Sequence, residues 1–275
     1  MRILLIRHGE TVDNVTGLYA GSRDSSLTNH GVLQTRRLGA HIANRSETIG
    51  PIKHIFTSNL QRAYQTADAI VEAIAKSQKS VSRDQPLEVI RLPELREKDY
   101  GSLEGKKYRL KTGNSSDTSA PTDSETKESM KTRVNRFLDR LMPIVDDHVS
   151  DHITVVIVAH GIILGVLLAA LLERFPPRRD PPEHVAWSNT GVVQAKLEPN
   201  KTEHAIASQV SNDNVESPTK PSQKPRLVIE FANNLEHLEG LKKTRGGIGS
   251  AKFDTRQRTM DSFFTTSSKK RKLGE

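Results

Sequence analysis

Residues suited to phosphate chemistry occur at four places in the chain. Leu5-Ile6-Arg7-His8-Gly9-Glu10-Thr11 sets a histidine directly after an arginine, with Asn14 six residues beyond it. Imidazole is a competent nucleophile near neutral pH, guanidinium binds phosphate oxygens through paired N–H groups, and Gly9 allows close backbone approach. In Thr57-Ser58-Asn59-Leu60-Gln61-Arg62, an arginine stands where a strand gives way to a helix. Backbone N–H groups and the helix dipole favour an anion at such a point, so Arg62 suits a second phosphate clamp. Leu95-Arg96-Glu97-Lys98-Asp99-Tyr100-Gly101-Ser102-Leu103-Glu104-Gly105 offers carboxyl groups for proton transfer, and Ala159-His160-Gly161 repeats the strand-end histidine. Plainer readings exist: His8 as a packed structural histidine, Arg62 as a solvated first-turn residue. No carboxylate cage and no histidines at ligand spacing argue for a metal, so neither metal nor cofactor is expected. The chain has no cysteine, which excludes disulfides, thiolate catalysis and zinc held by sulfur.

The elements that must position these groups can be read from periodicity. Ile3-Leu4-Leu5-Ile6, Ile52–Thr57 and Ile153–Ala159 read as buried parallel strands with functional residues at their carboxyl ends. Thr28 is expected to cap a helix carrying Leu33, Arg37, Leu38, His41 and Ile42. Ser58 is expected to cap a long helix with Ala63, Ala67, Ile70, Val71 and Ile74 on its inner face. A further helix is predicted near Met130–Met142, through Val134, Phe137, Leu138 and Leu141, and Ile162–Leu172 reads as a buried one. Strand and helix alternate, which predicts an α/β three-layer sandwich with a mostly parallel sheet flanked by helices. Gly191–Leu197 and Arg226–Phe231 suit a hairpin at a sheet edge. Residues 106–129, rich in Ser, Thr and charge, and 198–225, with four prolines, read as flexible insertions.

With 275 residues, the chain makes one large domain or two small ones. Its apolar share of 35% suits a folded core diluted by polar segments. No apolar run approaches the ~20 residues of a membrane span, so no membrane association is expected. The opening apolar stretch is too short for a signal peptide, so sequons such as Asn14-Val15-Thr16 carry no message about glycosylation. The net charge of +8 is uneven: residues 241–275 hold ten Lys/Arg against three Asp/Glu, leaving +1 for the first 240. A neutral globule with a basic appendage is implied, with no direct nucleic-acid binding by the domain.

Taken together, the motifs resemble the histidine phosphatase superfamily, the phosphoglycerate-mutase-like fold. The resemblance runs from Met1 to about Gly240 and includes Gly21, Asp24 and Leu27-Thr28 after the first motif, Ser188-Asn189-Thr190, and Asn234–Leu238. It implies that His8 is the nucleophile forming a phosphohistidine. It further implies a phosphate pocket of Arg7, Arg62 and protonated His160, with Asn14, Gly21 and Gly161 as substrate contacts. Glu97 matches the family's general acid, ahead of Glu94. Mutases of this type carry an ordered, basic, aromatic-containing insertion after the Glu-x-x-x-Gly motif, where this chain has the Ser/Thr-rich 106–129 segment. Hydrolysis of phosphate monoesters is therefore expected over mutase-type transfer. A phospho-ligand adaptor without turnover is the other alternative, and a general acid argues against it.

The tail carries a separate signal. Gln257-Arg258-Thr259-Met260-Asp261-Ser262-Phe263-Phe264 resembles the box by which replication and repair proteins dock on the sliding clamp, proliferating cell nuclear antigen. One 3₁₀ turn would bring Met260 and Phe263 together with Phe264 beside them, while Gln257 fills a polar pocket. The plainer reading is a terminal helix folded back on the domain. Lys269-Lys270-Arg271-Lys272 reads as a nuclear localisation run. The expected organisation is thus a catalytic domain over 1–240 and a basic, disordered tail over 241–275 with its box at 257–264. The expected location is nucleus and cytoplasm.

Overall fold

The computed structural model describes residues 1–77, 87–108, 123–182, 184–199, 225–244 and 247–254. The chain opens with β1 (Arg2–Arg7) and the single-turn α1 (Val12–Thr16). α2 (Asn29–Asn44), the short α3 (Ser46–Ile49), β2 (Ile52–Ser58), α4 (Gln61–Ser77) and β3 (Val89–Leu92) follow. Then come α5 (Lys127–His148), β4 (Thr154–Ala159), α6 (Gly161–Arg174), β5 (Val192–Glu198) and β6 (Arg226–Asn234).

The six strands form one mixed sheet in the order β3-β2-β4-β1-β5-β6. β1 to β4 run parallel, while β5 and β6 are antiparallel additions at one edge. Side chains alternate across a strand, so β1 sends Ile3 and Leu5 to one face and Leu4 and Ile6 to the other. The first face is covered by α5 and α6 through Phe137, Leu138, Leu164 and Leu167. The second is covered by α2 and α4 through Leu38, Ile42, Ala67 and Ile70. Covering both faces explains the unbroken apolar runs of β1 and β4, and the three-layer α/β sandwich is as expected. Each such buried side chain contributes about 1.5–3 kcal/mol.

Several local expectations need correction. Ser58 ends β2 and its hydroxyl accepts from the Leu60 N–H (3.2 Å), while the first N–H of α4, at Gln61, is capped by Asp24 Oδ1 (2.9 Å). Thr28 does cap α2, through the Gly31 N–H, but Leu33 is exposed because the inner face runs through Gln34, Thr35, Leu38 and Ile42. α5 continues past Pro143 to His148, since Val145 beyond the proline is buried in the core. The 106–129 segment is narrower than expected. Lys106–Tyr108 pairs with Gly17–Tyr19, and Thr126 caps α5 through the Ser129 N–H. Residues 109–122 lie outside the described residues, as do 200–224.

The first part of the supposed tail belongs to the domain. Asn29 N donates to Ala251 O (3.0 Å) and Phe253 N to Leu27 O (3.0 Å), and the Arg36 guanidinium lies over the Phe253 ring. Lys243 Nζ reaches both carboxylate oxygens of Glu10 at 2.9 Å. The Gly-rich run turns at Gly247 (φ +82°) into a 3₁₀ turn, Ile248–Ser250. Backbone pairing, one aromatic ring and the Lys243–Glu10 ion pair anchor this stretch. The clamp box at 257–264 and the basic run at 269–272 lie outside the described residues.

Candidate active site

The register of two strands makes the site. β1 and β4 are neighbours with Arg7 opposite Ala159, so His8 and His160 emerge side by side at the carboxyl edge of the sheet. Their ring centroids are 5.0 Å apart at 59°, and both rings are buried. The His8 N–H donates to Ala159 O (3.0 Å) and the Gly9 N–H to Thr66 Oγ1 (3.1 Å), which ties the loop to β4 and α4. The loop also touches α2: a Cβ on Gly9 would lie 2.8 Å from Thr35 Cγ2 and 2.9 Å from Gly31 O.

Hydrogen bonding fixes both tautomers. His8 Nδ1 lies 2.7 Å from Gly9 O and must carry the proton, which leaves Nε2 with a bare lone pair. Burial, then Arg62 and Arg7, hold this imidazole well below its usual pKa, so it is neutral. His160 Nδ1 accepts from Arg62 Nε (3.1 Å), so the proton of the neutral ring sits on Nε2. That Nε2 is buried and has no partner among the described residues. The protonated His160 expected from the sequence is not found: burial, Arg62, His8 and Arg7 all disfavour a charge there. It is a neutral N–H donor.

Arg62, 1% exposed, spends most of its guanidinium on the fold. Nη1 donates to Arg23 O (2.8 Å), Nη2 to Ala20 O (2.9 Å) and Gly21 O (2.8 Å), and Nε to His160. Four of its five N–H groups are thus committed to the fold. Burial lowers its pKa to about 10, against the pull of Glu97 and Asp24, and it stays charged at neutral pH. Arg7 differs. Its Nη1 donates to Trp187 O (2.6 Å), while its buried Nε has no partner among the described residues. Glu97 is held by backbone alone: Oε1 accepts from Lys98 N (2.9 Å) and Ile163 N (3.1 Å), and Oε2 from Ile162 N (3.1 Å). Two of those donors belong to the first turn of α6. Glu94 is turned away, with its carboxylate 4.0 Å from Arg140 on α5.

The remaining predicted contacts have distinct places. Asn14 Oδ1 accepts from Thr11 N (3.2 Å) and Asn189 Nδ2 (3.1 Å), leaving Nδ2 as its unengaged donor among the described residues. Gly161 lies between Arg7 and Glu97: a Cβ there would sit 3.9 Å from Arg7 Nε and 4.0 Å from Glu97 Oε2, so a side chain would fit. Gly21 has no such room, since a Cβ would collide with Lys98 O. Its peptide is already engaged at both ends, by Arg62 and Glu104.

Sequence reasoning missed several residues that hold the site. The Glu104 carboxylate collects four backbone N–H groups, from Gly21, Ser22, Arg23 and Tyr100, at 3.0–3.2 Å. Arg133 fixes the Glu97 segment from α5 through the carbonyls of Glu94 (2.7 Å), Arg96 (2.6 Å) and Glu97 (3.2 Å), backed by Glu125. Its signal was available, because Arg133 lies on the apolar face with Met130 and Phe137. Asn189 Nδ2 also donates to His8 O (3.1 Å). Thr190 adopts φ +58°, costly for a β-branched residue, and is held there by bonds to Arg7 O, His8 O and His237.

Comparison with known proteins places this arrangement. The adenosylcobalamin/alpha-ribazole phosphatase of Salmonella typhimurium is 33% identical over 120 residues, 44% of this chain and 52% of that protein. Sedoheptulose 1,7-bisphosphatase of Saccharomyces cerevisiae is 34% identical over 106 residues, 38% of this chain and 37% of that protein. A 2,3-bisphosphoglycerate-dependent phosphoglycerate mutase of Methylorubrum extorquens is 35% identical over 103 residues, 38% and 43% of the two chains. The chain thus spans about half or less of the length of these curated relatives. Among solved structures, phosphoglycerate mutase from Bacillus anthracis has a TM-score of 0.59 at 16% identity, over 87% of this chain and 95% of that one. The alpha-ribazole phosphatase from Shigella flexneri has a TM-score of 0.56 at 23% identity, over 86% and 97%. At such identities the likeness is one of fold. The model of the histidine phosphatase superfamily (branch 1) matches residues 3–207, and the chain belongs to that superfamily.

Proposed function

We propose that the protein is a phosphatase that hydrolyses phosphate monoesters through a phosphohistidine on His8. The supporting observation is a bare His8 Nε2 beside two buried donors without protein partners, Arg7 Nε and His160 Nε2. Unpartnered buried donors are costly, and an anion engaging both would relieve that cost. In the first step the Nε2 lone pair attacks phosphorus and the ester P–O bond breaks. Glu97, carrying a proton, gives it to the departing oxygen. Water then attacks the phosphohistidine, its proton returns to Glu97, and the N–P bond breaks to free phosphate and His8. Arg7, His160 and the one remaining Arg62 N–H stabilise charge on the transferring group, which is mainly an electrostatic task. Asn14, Gly21 and Gly161 shape the pocket wall.

The half-exposed rim supports hydrolysis over transfer. Ile162, whose N–H holds Glu97, is 38% exposed, and Tyr108 is 47% exposed, so water can approach this side. The test is turnover of phenyl phosphate in excess chelator, with trapping of radiolabelled, acid-labile phosphohistidine. His8→Ala should abolish trapping and lower the rate by ~10³-fold or more. Undiminished turnover by His8→Ala would overturn the assignment, and label passing to phosphoglycerate instead of water would favour a mutase.

For the tail, we infer that Gln257, Met260, Phe263 and Phe264 dock on the DNA sliding clamp in the nucleus. The spacing of the four residues supports this. Calorimetry with a 255–275 peptide should give an affinity on the order of micromolar, lost in Phe263→Ala with Phe264→Ala. No heat at several hundred micromolar clamp would refute it.

A further inference from the structure

We infer that the leaving-group side of the pocket is an aromatic cradle that selects monoesters whose alcohol carries a planar ring. The inference rests on the phosphatase reading and names its substrate class. The chain has only four tyrosines and one tryptophan in 275 residues. Three of those tyrosines and the tryptophan gather around this one site. Tyr19 stands in the middle, with its ring centroid 4.7 Å from Tyr100 and 4.4 Å, edge-on, from Tyr108. Tyr100 lies over Gly21, where a Cβ would come within 2.8 Å of its Cδ2, and the Gly21 carbonyl is on Arg62. Tyr100 and Tyr108 both lie within the electrostatic reach of Glu97. On the other side, Trp187 gives its carbonyl to Arg7, and its side chain faces Gly161 and Gly165 of α6.

The cradle is built before any ligand arrives. Tyr19 N donates to Lys106 O (2.9 Å), Gly105 N to Tyr19 O (2.8 Å) and Tyr108 N to Gly17 O (2.8 Å), a short ladder that sets the Tyr19 and Tyr108 rings. The Glu104 carboxylate holds Tyr100 N, Gly21 N and Ser22 N at 3.0 Å, which locks the third ring to the phosphate side. Rings fixed in this way lose little entropy on binding. Burial and the Glu97 charge raise the Tyr100 phenol pKa, so it stays neutral. None of the three phenol oxygens has a hydrogen-bond partner among the described residues, and Tyr108, though a large ring, is 47% exposed. One exposed ring backed by half-buried ones, with spare hydroxyls, at the mouth of an anion pocket suits a π-faced group with polar edges.

The test uses the full chain with phenyl phosphate, adenosine 5′-monophosphate and glycerol phosphate. Tyr108→Leu should lower the selectivity for a ring-bearing ester over glycerol phosphate by about tenfold, chiefly through KM. Tyr108→Phe, which keeps the ring, should retain that selectivity within about threefold. A preference for phenyl phosphate places the ring on the ester oxygen, and a preference for the nucleotide places it one sugar away. A selectivity that Tyr108→Leu leaves unchanged would overturn the cradle, as would an equal loss on all three esters. If no ester is turned over, the phosphatase reading fails by itself. Quenching of Trp187 fluorescence by the same three compounds then decides: tighter binding of the ring-bearing ones, lost in Tyr108→Leu, sustains the cradle, and equal affinities refute it.

Discussion

The floor of the pocket and its rim are built on different terms. On the floor, His8 and His160 are set by the register of two adjacent central strands, and Arg62 is locked by four acceptors. On the rim, Glu97 and the tyrosines sit on loops, and their places depend on side chains that gather backbone groups, Glu104 and Arg133. The floor cannot shift without moving the sheet. The rim can be remodelled by changing a loop and its organiser. Chemistry that must stay constant belongs on the first, and selectivity that must vary belongs on the second.

That contrast can be broken first at the floor. Arg62→Met would leave three carbonyls and His160 Nδ1 buried without a donor. A loss of about 3 kcal/mol or more of stability is expected, together with activity, as read by denaturant melts and turnover. Glu104→Gln probes the rim. One amide cannot serve four N–H groups, so the 20–23 loop should loosen, with a stability cost of about 1–2 kcal/mol and a KM rising more than kcat falls. A matching collapse of kcat would show that floor and rim are one unit.

Acid should act on the floor. His8 and His160 are neutral when folded, with pKa values well below the usual one, and His237 behind them is lowered to about 4 by burial and His41. The unfolded chain binds these protons first. Their neutral burial therefore costs nothing above about pH 6.5, and stability falls as pH drops below it, by on the order of 1.4 kcal/mol per pH unit for each proton taken up. Denaturant melts between pH 7 and 4 check the slope, and His237→Gln should make it shallower. The smallest effect is expected from Lys243→Ala, which removes a partly exposed ion pair with Glu10 and should cost about 1 kcal/mol or less.

The floor was legible in the sequence and the rim was not, for a physical reason. His8, Arg7, Arg62 and His160 stand at junctions where an apolar run stops, and such junctions are visible along the chain. Glu97 lay in a charged stretch and was separable from Glu94 only by resemblance. Glu104 works on backbone groups 81–83 residues away, which no local pattern records. β3 escaped notice because it is four residues long, lies at the sheet edge and shows an exposed Arg91. Residues 247–254 read as tail because they lie within the basic stretch 241–275, yet one ring, two backbone bonds and the Asn29 side chain anchor them. The three tyrosines meet only because Lys106–Tyr108 folds back on Gly17–Tyr19.

The position of β1 has a consequence for how the molecule comes to be. It lies between β4 and β5, strands that the ribosome makes about 150 and 190 residues later. This strand must therefore wait for its neighbours on both sides, while β2 and α4 can already associate. Closing loops of that length is slow, and topologies dominated by distant pairings fold correspondingly late. The Asn189 bond to His8 O spans 181 residues and that of Arg62 to His160 spans 98. In refolding, the signal of helix formation should thus appear before catalytic competence, which returns only with the last central strand in place.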